Sequence, residues 1–261
     1  MKILWVGNSN DRPSAAVPEG QLRHKLLEPR LAEALGEPVE ITSRPLWPTA
    51  DAAGIMSGWV ERFEPDLVYL KANQFWFNHQ SVPLRIERML GPLGPPIARL
   101  ALKANGAGWL AHNAPFRGTR DFARQRLQGA YHFEPDEVVQ RMADCVRVVL
   151  RNESTHLLVA SANGLTDSSL NGKLRQQTEA RRLAVHRGLQ RLCAELHVDY
   201  LGYDQPHYLT QPVTERHLQS DQFHRDSQGH RDNVDQKFDL LLPACQKVLA
   251  SRSVGAATSG C

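Results

Sequence analysis

Only four cysteines occur in 261 residues, and no two of Cys145, Cys193, Cys245 and Cys261 share a C-x-x-C spacing. That argues against a disulfide framework or a cysteine-built zinc site and fits reduced core thiols. Charge of one sign is also lacking. Thirty-one basic against 28 acidic residues leave a net +3, too balanced to imply a nucleic-acid partner. No apolar run approaches the roughly 18 residues of a membrane helix. The opening Met1-Lys2-Ile3-Leu4-Trp5-Val6 is too short for a signal peptide, because Gly7-Asn8 ends it. A soluble, cytoplasmic protein without membrane partners is the expectation. Phosphate-binding glycine loops are missing too: there is no G-x-x-x-x-G-K-[ST], and Gly7-Asn8-Ser9 lacks the dinucleotide pattern. The 18 Gly and 16 Pro are scattered, with no linker and no internal repeat, so one domain over residues 1–250 is expected.

What is present is an alternation of short apolar runs and helical patterns. Strands are expected at Ile3–Val6, Val39–Thr42, Asp66–Ala72, Leu157–Ala160 and Val198–Leu201. The second is expected to stop before Pro45. Helical spacing runs over Leu22–Leu35 (closed by Gly36), Ile55–Phe63 (ended by Pro65), Val138–Leu150, Leu174–Leu196 and Val234–Leu249. Such alternation implies an α/β fold, with a mostly parallel five-stranded sheet between two helical layers. Ligands then gather at the carboxyl ends of the strands. Ser9, Asn73 and Asn163 follow three of those strands. The Gly-, Pro- and Arg-rich stretch of about 91–135 reads as an insertion over the sheet edge and a candidate lid, and 251–261 as a disordered tail.

Two segments far apart in the chain carry the chemistry. Ser9, on the turn after the first strand, is a candidate nucleophile with backbone amides nearby to face an oxyanion; the plainer reading is a helix cap. His224 is a candidate base, and Asp221, three positions upstream, can orient its imidazole; the plainer reading is a polar loop. Asn73, in Lys71-Ala72-Asn73-Gln74, can donate to a tetrahedral oxyanion or simply end its strand. Asp221, His224 and His230 provide no second cluster to complete a metal site. Trp76 and Phe77 can wall an acyl pocket or sit in the core. Arg117, Arg120, Arg124 and Arg126 read as a solvated helix face or, less simply, as partners of an anionic substrate group. His112 and Asn113 share that stretch, and nothing in the sequence fixes their place.

In this order the pieces resemble the SGNH (GDSL-type) hydrolases. The family's nucleophile turn corresponds to Gly7-Asn8-Ser9, and its Gly-x-Asn-Asp block to Lys71-Ala72-Asn73-Gln74, which keeps the asparagine and loses the flanking residues. The Asp-x-x-His block is intact at Asp221–His224, and the frequent Gly-His pair recurs at Gly229-His230. The glycine block after the second strand has no counterpart in Ser43-Arg44-Pro45-Leu46, so an amide near Arg44 is the candidate third oxyanion donor. The resemblance implies a flavodoxin-like three-layer α/β/α sandwich and a serine esterase acting on a small acyl ester, with a Ser9–His224–Asp221 triad and no cofactor or metal. It also leaves open an acyltransferase and a non-catalytic binding protein on the same fold.

Overall fold

The computed structural model describes residues 1–78, 80–91, 129–161, 172–202 and 225–258. In chain order the elements are β1 (Lys2–Gly7), α1 (Arg23–Leu35), β2 (Glu40–Pro45), α2 (Ala52–Phe63), β3 (Leu67–Lys71) and α3 (Val82–Leu90). They continue with α4 (Pro135–Leu150), β4 (His156–Ala160), α5 (Gly172–Glu195), β5 (Asp199–Leu201), α6 (Ser227–Arg231) and α7 (Val234–Thr258). The five strands form one sheet in the order β2-β1-β3-β4-β5, every pairing parallel. This is the flavodoxin-like order, in which the crevice for a ligand opens between β1 and β3.

The alternation of side chains along β1 builds both faces of the sheet. Leu4 and Val6 join Met56 and Val60 of α2, Val146 of α4 and Leu189 of α5 in one buried cluster. Ile3 and Trp5 join Leu27 and Leu31 of α1 with Leu241 and Cys245 of α7 in the other. Each fully buried side chain of this kind contributes about 1.5–3 kcal/mol, so both layers are held mainly by apolar burial. The helix ends follow local chemistry. The Asp51 carboxylate accepts from Gly54 N at 3.1 Å to start α2, and Gly36, at φ 70°, ends α1 in the left-handed region.

Three expectations need correction. β2 continues through Pro45, because it is the edge strand and proline there sacrifices no ladder bond to a further neighbour. α3 is a helix that the apolar pattern does not signal; Ser81 caps it through a bond from Leu84 N, with Pro83 in its first turn. The last helix is longer than the apolar spacing to Leu249 indicates, its bounds reaching Thr258. α7 runs on because Arg252 pairs with Asp66 and Glu37, and Ser251 meets the His156 ring at 3.0 Å.

Residues 92–128 of the expected insertion lie outside the described residues. On either side of them, Ser81 and Ala130 exchange two backbone hydrogen bonds of 2.9 and 3.0 Å. Arg181 of α5 secures this region, donating to the carbonyls of Phe77 and Phe133 at 2.7 and 2.8 Å and lying over the Tyr131 ring. Among the described residues no helix is long and apolar enough to cross a membrane.

The layer of α4 and α5 depends on one close approach. A Cβ on Gly188 would lie 2.5 Å from Val139 Cγ2, inside van der Waals contact. Gly188→Ala is therefore expected to lower unfolding free energy by about 1–3 kcal/mol in urea denaturation. Adding Val139→Ala should recover much of the loss. A neutral Gly188→Ala change would contradict this packing.

Candidate active site

Immediately after β1 the chain turns through a short 3₁₀ helix, Ser9–Asp11. Asn8 caps it by accepting from Asn10 N at 3.0 Å, and the Asp11 carboxylate reaches back to accept from Asn8 N at 3.2 Å. This reciprocal box fixes the turn that presents Ser9. Gly7 makes it possible, because a Cβ there would collide with the Asp11 carboxylate and stand 2.8 Å from Trp5 Nε1. Ser9 is half-buried and borders a cavity of about 280 Å³ with Asn10, Arg12, Trp47, Arg225 and His230 among its walls.

Asp11 is buried against Arg23, whose Nε donates to Asp11 Oδ1 at 2.8 Å and whose Nη2 forms an ion-pair contact with the same oxygen at 2.7 Å. The same arginine donates from Nη1 to Asn233 Oδ1 at 3.2 Å, and its backbone N–H reaches His230 Nδ1 at 3.4 Å. A separate tie runs from Arg225 N to Asn10 Oδ1 at 2.8 Å. Thus the chain after Ser9 is fastened to residues 207 to 215 positions later.

Asn73 follows β3 and is buried. Its Oδ1 accepts from Phe75 N at 3.0 Å, which orients the amide so that Nδ2 donates to Leu46 O at 3.4 Å. Trp76 Nε1 donates to the same carbonyl at 3.0 Å, so Leu46 links the ends of β2 and β3. Trp76 and Phe77 are fully buried members of the core, not walls of the Ser9 cavity. Arg44 falls inside β2 rather than in the loop beyond it. Its guanidinium lies 4.9 Å from the Phe63 ring centre, and it is not a wall of the cavity. The first amide past the strand, Leu46 N, bonds to Gly7 O at 3.4 Å.

Several groups here were not legible as functional. Lys71 ends β3 and is buried; burial pushes its ammonium down to about 7, Arg23 and Arg225 adding to the effect and Asp11 opposing it. Lys237 of α7 is fully buried, donates to the Tyr69 hydroxyl at 3.3 Å, and is held well below the ordinary lysine range, again mainly by burial. Burial also lowers Arg225, to about 10. Burial raises the Asp11 carboxyl, but Arg23, His24 and Lys71 together bring it below the usual range. The available signals were a lysine closing the run Leu67-Val68-Tyr69-Leu70 and another among the apolar residues of the last helix.

Asp221 and His224 lie outside the described residues, as do Asn163, His112, Asn113 and Arg117 to Arg126. Of the expected set, Ser9 and Asn73 stand at the carboxyl edge of the sheet, after β1 and β3. Among the described residues no group of three or more His, Cys, Asp or Glu is placed to hold a metal.

No family model matches the chain, and no curated protein sequence does either. Solved structures do. The chain is similar to TesA (TM-score 0.54, 12% identity, covering 93% of this chain and 99% of that one). It is also similar to the psychrotrophic esterase EstA from Pseudoalteromonas sp. (0.53, 10%, 91% and 94%) and to the M. smegmatis aryl esterase (0.53, 12%, 92% and 97%). At these identities the likeness establishes a shared fold.

Burial lowers His24 and His230 to about 4 each; Asp11 opposes the shift in both, and Arg23 reinforces it. The unfolded chain protonates these rings near their ordinary value of about 6.5. Between the two values the unfolded state binds more protons, so stability rises with pH and is lost on acidification. The thermal midpoint should climb between about pH 5 and about pH 6.5, and His230→Gln should flatten the climb. A wild-type midpoint constant over that window would contradict this burial.

Proposed function

We propose that this chain is a serine esterase, with Ser9 as nucleophile, His224 as base and Asp221 orienting the imidazole. The observation that carries the reading is the hydrogen bond from Arg225 N to Asn10 Oδ1. Arg225 directly follows His224 in the chain and Asn10 directly follows Ser9, so this bond joins the two segments on which nucleophile and base stand. Consecutive Cα atoms are about 3.8 Å apart, so the reading asks the His224 imidazole to meet the Ser9 hydroxyl from one position beyond each end of this bond. The fold shared with solved esterases supports the same reading.

His230 also borders the cavity, yet it suits the role of base poorly. Its Nδ1 accepts the Arg23 N–H, so the neutral ring carries its hydrogen on Nε2 and has no lone pair left for a serine proton. His224 is the better assignment.

In this mechanism His224 removes the Ser9 hydroxyl proton as Oγ attacks the ester carbonyl carbon. The negative charge on the carbonyl oxygen is met by the Ser9 N–H and by Asn73 Nδ2, whose second hydrogen is directed away from Leu46 O. Collapse breaks the bond to the alcohol oxygen, and His224 returns the proton to it. Water then attacks the acyl-serine with His224 again as base, releasing the carboxylic acid and restoring Ser9. One oxyanion donor of the Asn73 kind is worth about 3 kcal/mol, roughly a hundredfold in rate.

The test is hydrolysis of short-chain p-nitrophenyl esters by wild type, Ser9→Ala, His224→Ala and Asn73→Ala. The first two variants should lose roughly a thousandfold or more in kcat, and Asn73→Ala roughly a hundredfold. Free acid as sole product in a pool of alcohols and amines would separate hydrolysis from acyl transfer. Wild-type turnover by folded Ser9→Ala would overturn the assignment.

A further inference from the structure

Asn10 is held in two directions at once. Its backbone N–H is bonded to Asn8 Oδ1 at 3.0 Å, inside the box that shapes the Ser9 turn, and its side-chain oxygen accepts from Arg225 N at 2.8 Å. A backbone N–H can only donate, so the atom it meets is the amide oxygen, and the orientation of the Asn10 side chain follows. Both residues border the cavity with Ser9. Arg225 directly precedes Asp226, which caps α6 by accepting from Gly229 N at 2.8 Å. The Arg225 N–H therefore stands before the helical ladder, where an acceptor has to come from another part of the chain.

Further ties join the same stretch to the N-terminal part of the molecule. Ser227 Oγ donates to Gln21 Oε1, the Arg23 N–H reaches His230 Nδ1 at 3.4 Å, and Arg23 Nη1 donates to Asn233 Oδ1 at 3.2 Å. Ser227, His230 and Asn233 are three, six and nine positions beyond His224. Those contacts hold α6 and the start of α7. The Asn10 bond acts on the backbone next to His224, and it starts from the residue next to Ser9.

We infer that Asn10 is a positioning residue of the reaction proposed above: through Arg225 its side chain sets the distance between the turn bearing Ser9 and the backbone bearing His224. This role rests on the Ser9–His224 reading. Proton transfer asks for heavy atoms about 2.6–3.2 Å apart, and a misplacement of about 1 Å costs roughly a hundredfold in rate. A neutral amide suits the place better than a carboxylate. Both accept the Arg225 N–H, but a negative charge there would favour the imidazolium and raise the pH at which His224 becomes a base.

Hydrogen exchange and kinetics of Asn10→Ala and Asn10→Asp test it. The Arg225 amide, followed by NMR, should exchange roughly tenfold faster in Asn10→Ala than in wild type, with the Gly229 amide unchanged. Asn10→Asp should keep the protection. With p-nitrophenyl acetate, Asn10→Ala should lower kcat roughly ten- to a hundredfold and leave KM within about twofold. Labelling of Ser9 by a fluorophosphonate should slow in parallel. Asn10→Asp should recover most of that kcat at alkaline pH, with the acidic limb of its profile displaced to higher pH. Gln21→Ala, which removes the tie to Ser227, should leave kcat within about twofold.

Unaltered Arg225 exchange in Asn10→Ala overturns the role, as does wild-type kcat in that variant. So does an Asn10→Asp enzyme as slow as Asn10→Ala with an unmoved pH profile, or a loss in Gln21→Ala as large as in Asn10→Ala. Ser9→Ala, run alongside, separates this role from the reading beneath it. If it matches wild type, or wild type reacts with neither ester nor fluorophosphonate, the esterase mechanism falls and the positioning role with it. An inactive Ser9→Ala beside a fully active Asn10→Ala overturns the positioning role alone.

Discussion

The ion pair between Asp11 and Arg23 is the contact on which the arrangement around Ser9 depends. Asp11 closes the turn after β1 by accepting from Asn8 N, and it does so from a buried position that a charge occupies only with a partner. Arg23, at the first position of α1, supplies that partner, and it donates from Nη1 to Asn233 and from its backbone N–H to His230. One residue therefore joins the Ser9 turn, the first helix and the start of the last one. Geometry matters more here than net stabilisation, since a buried pair gains little over an apolar substitute but leaves a costly charge if half of it is removed.

The sheet explains why this hub stands where chemistry is possible. A parallel order of 2-1-3-4-5 opens a crevice between β1 and β3. Ser9 follows one of those strands, and Lys71 and Asn73 end the other. Leu46, just past β2, accepts from both Asn73 and Trp76, so the three strand ends nearest the crevice are tied together. Ser9 and Asn73 thus stand just past strand ends that hydrogen bonds hold to one another.

The strands and long helices were legible in the sequence because buried parallel strands are near-continuous apolar runs and amphipathic helices keep their spacing. Where the reading went astray, a local signal met a tertiary context. Pro45 reads as a stop, yet an edge strand accommodates it. The apolar spacing of the last helix stops at Leu249, yet the helix continues past it and Arg252 pairs with Asp66 and Glu37 across the surface. α3 is short and follows the strand-ending turn too closely for periodicity to show. At the site, Ser9 and Asn73 could be placed by strand ends alone. Asp11, Arg23 and His230 could not, because the partners that join them are 12 to 210 positions away and no spacing rule connects them. Lys71 reads as an ordinary strand terminus until the structure surrounds it.

The central claim is that the turn carrying Ser9 and the segment carrying His224 meet in one reactive site. A crystal structure of the protein after reaction with a fluorophosphonate tests it most directly. The account predicts phosphorus bonded to Ser9 Oγ, an imidazole nitrogen of His224 within hydrogen-bond distance of that oxygen, and Asn73 Nδ2 facing the phosphoryl oxygen. An adduct on another residue, or one on Ser9 with His224 turned away from it, would contradict the account.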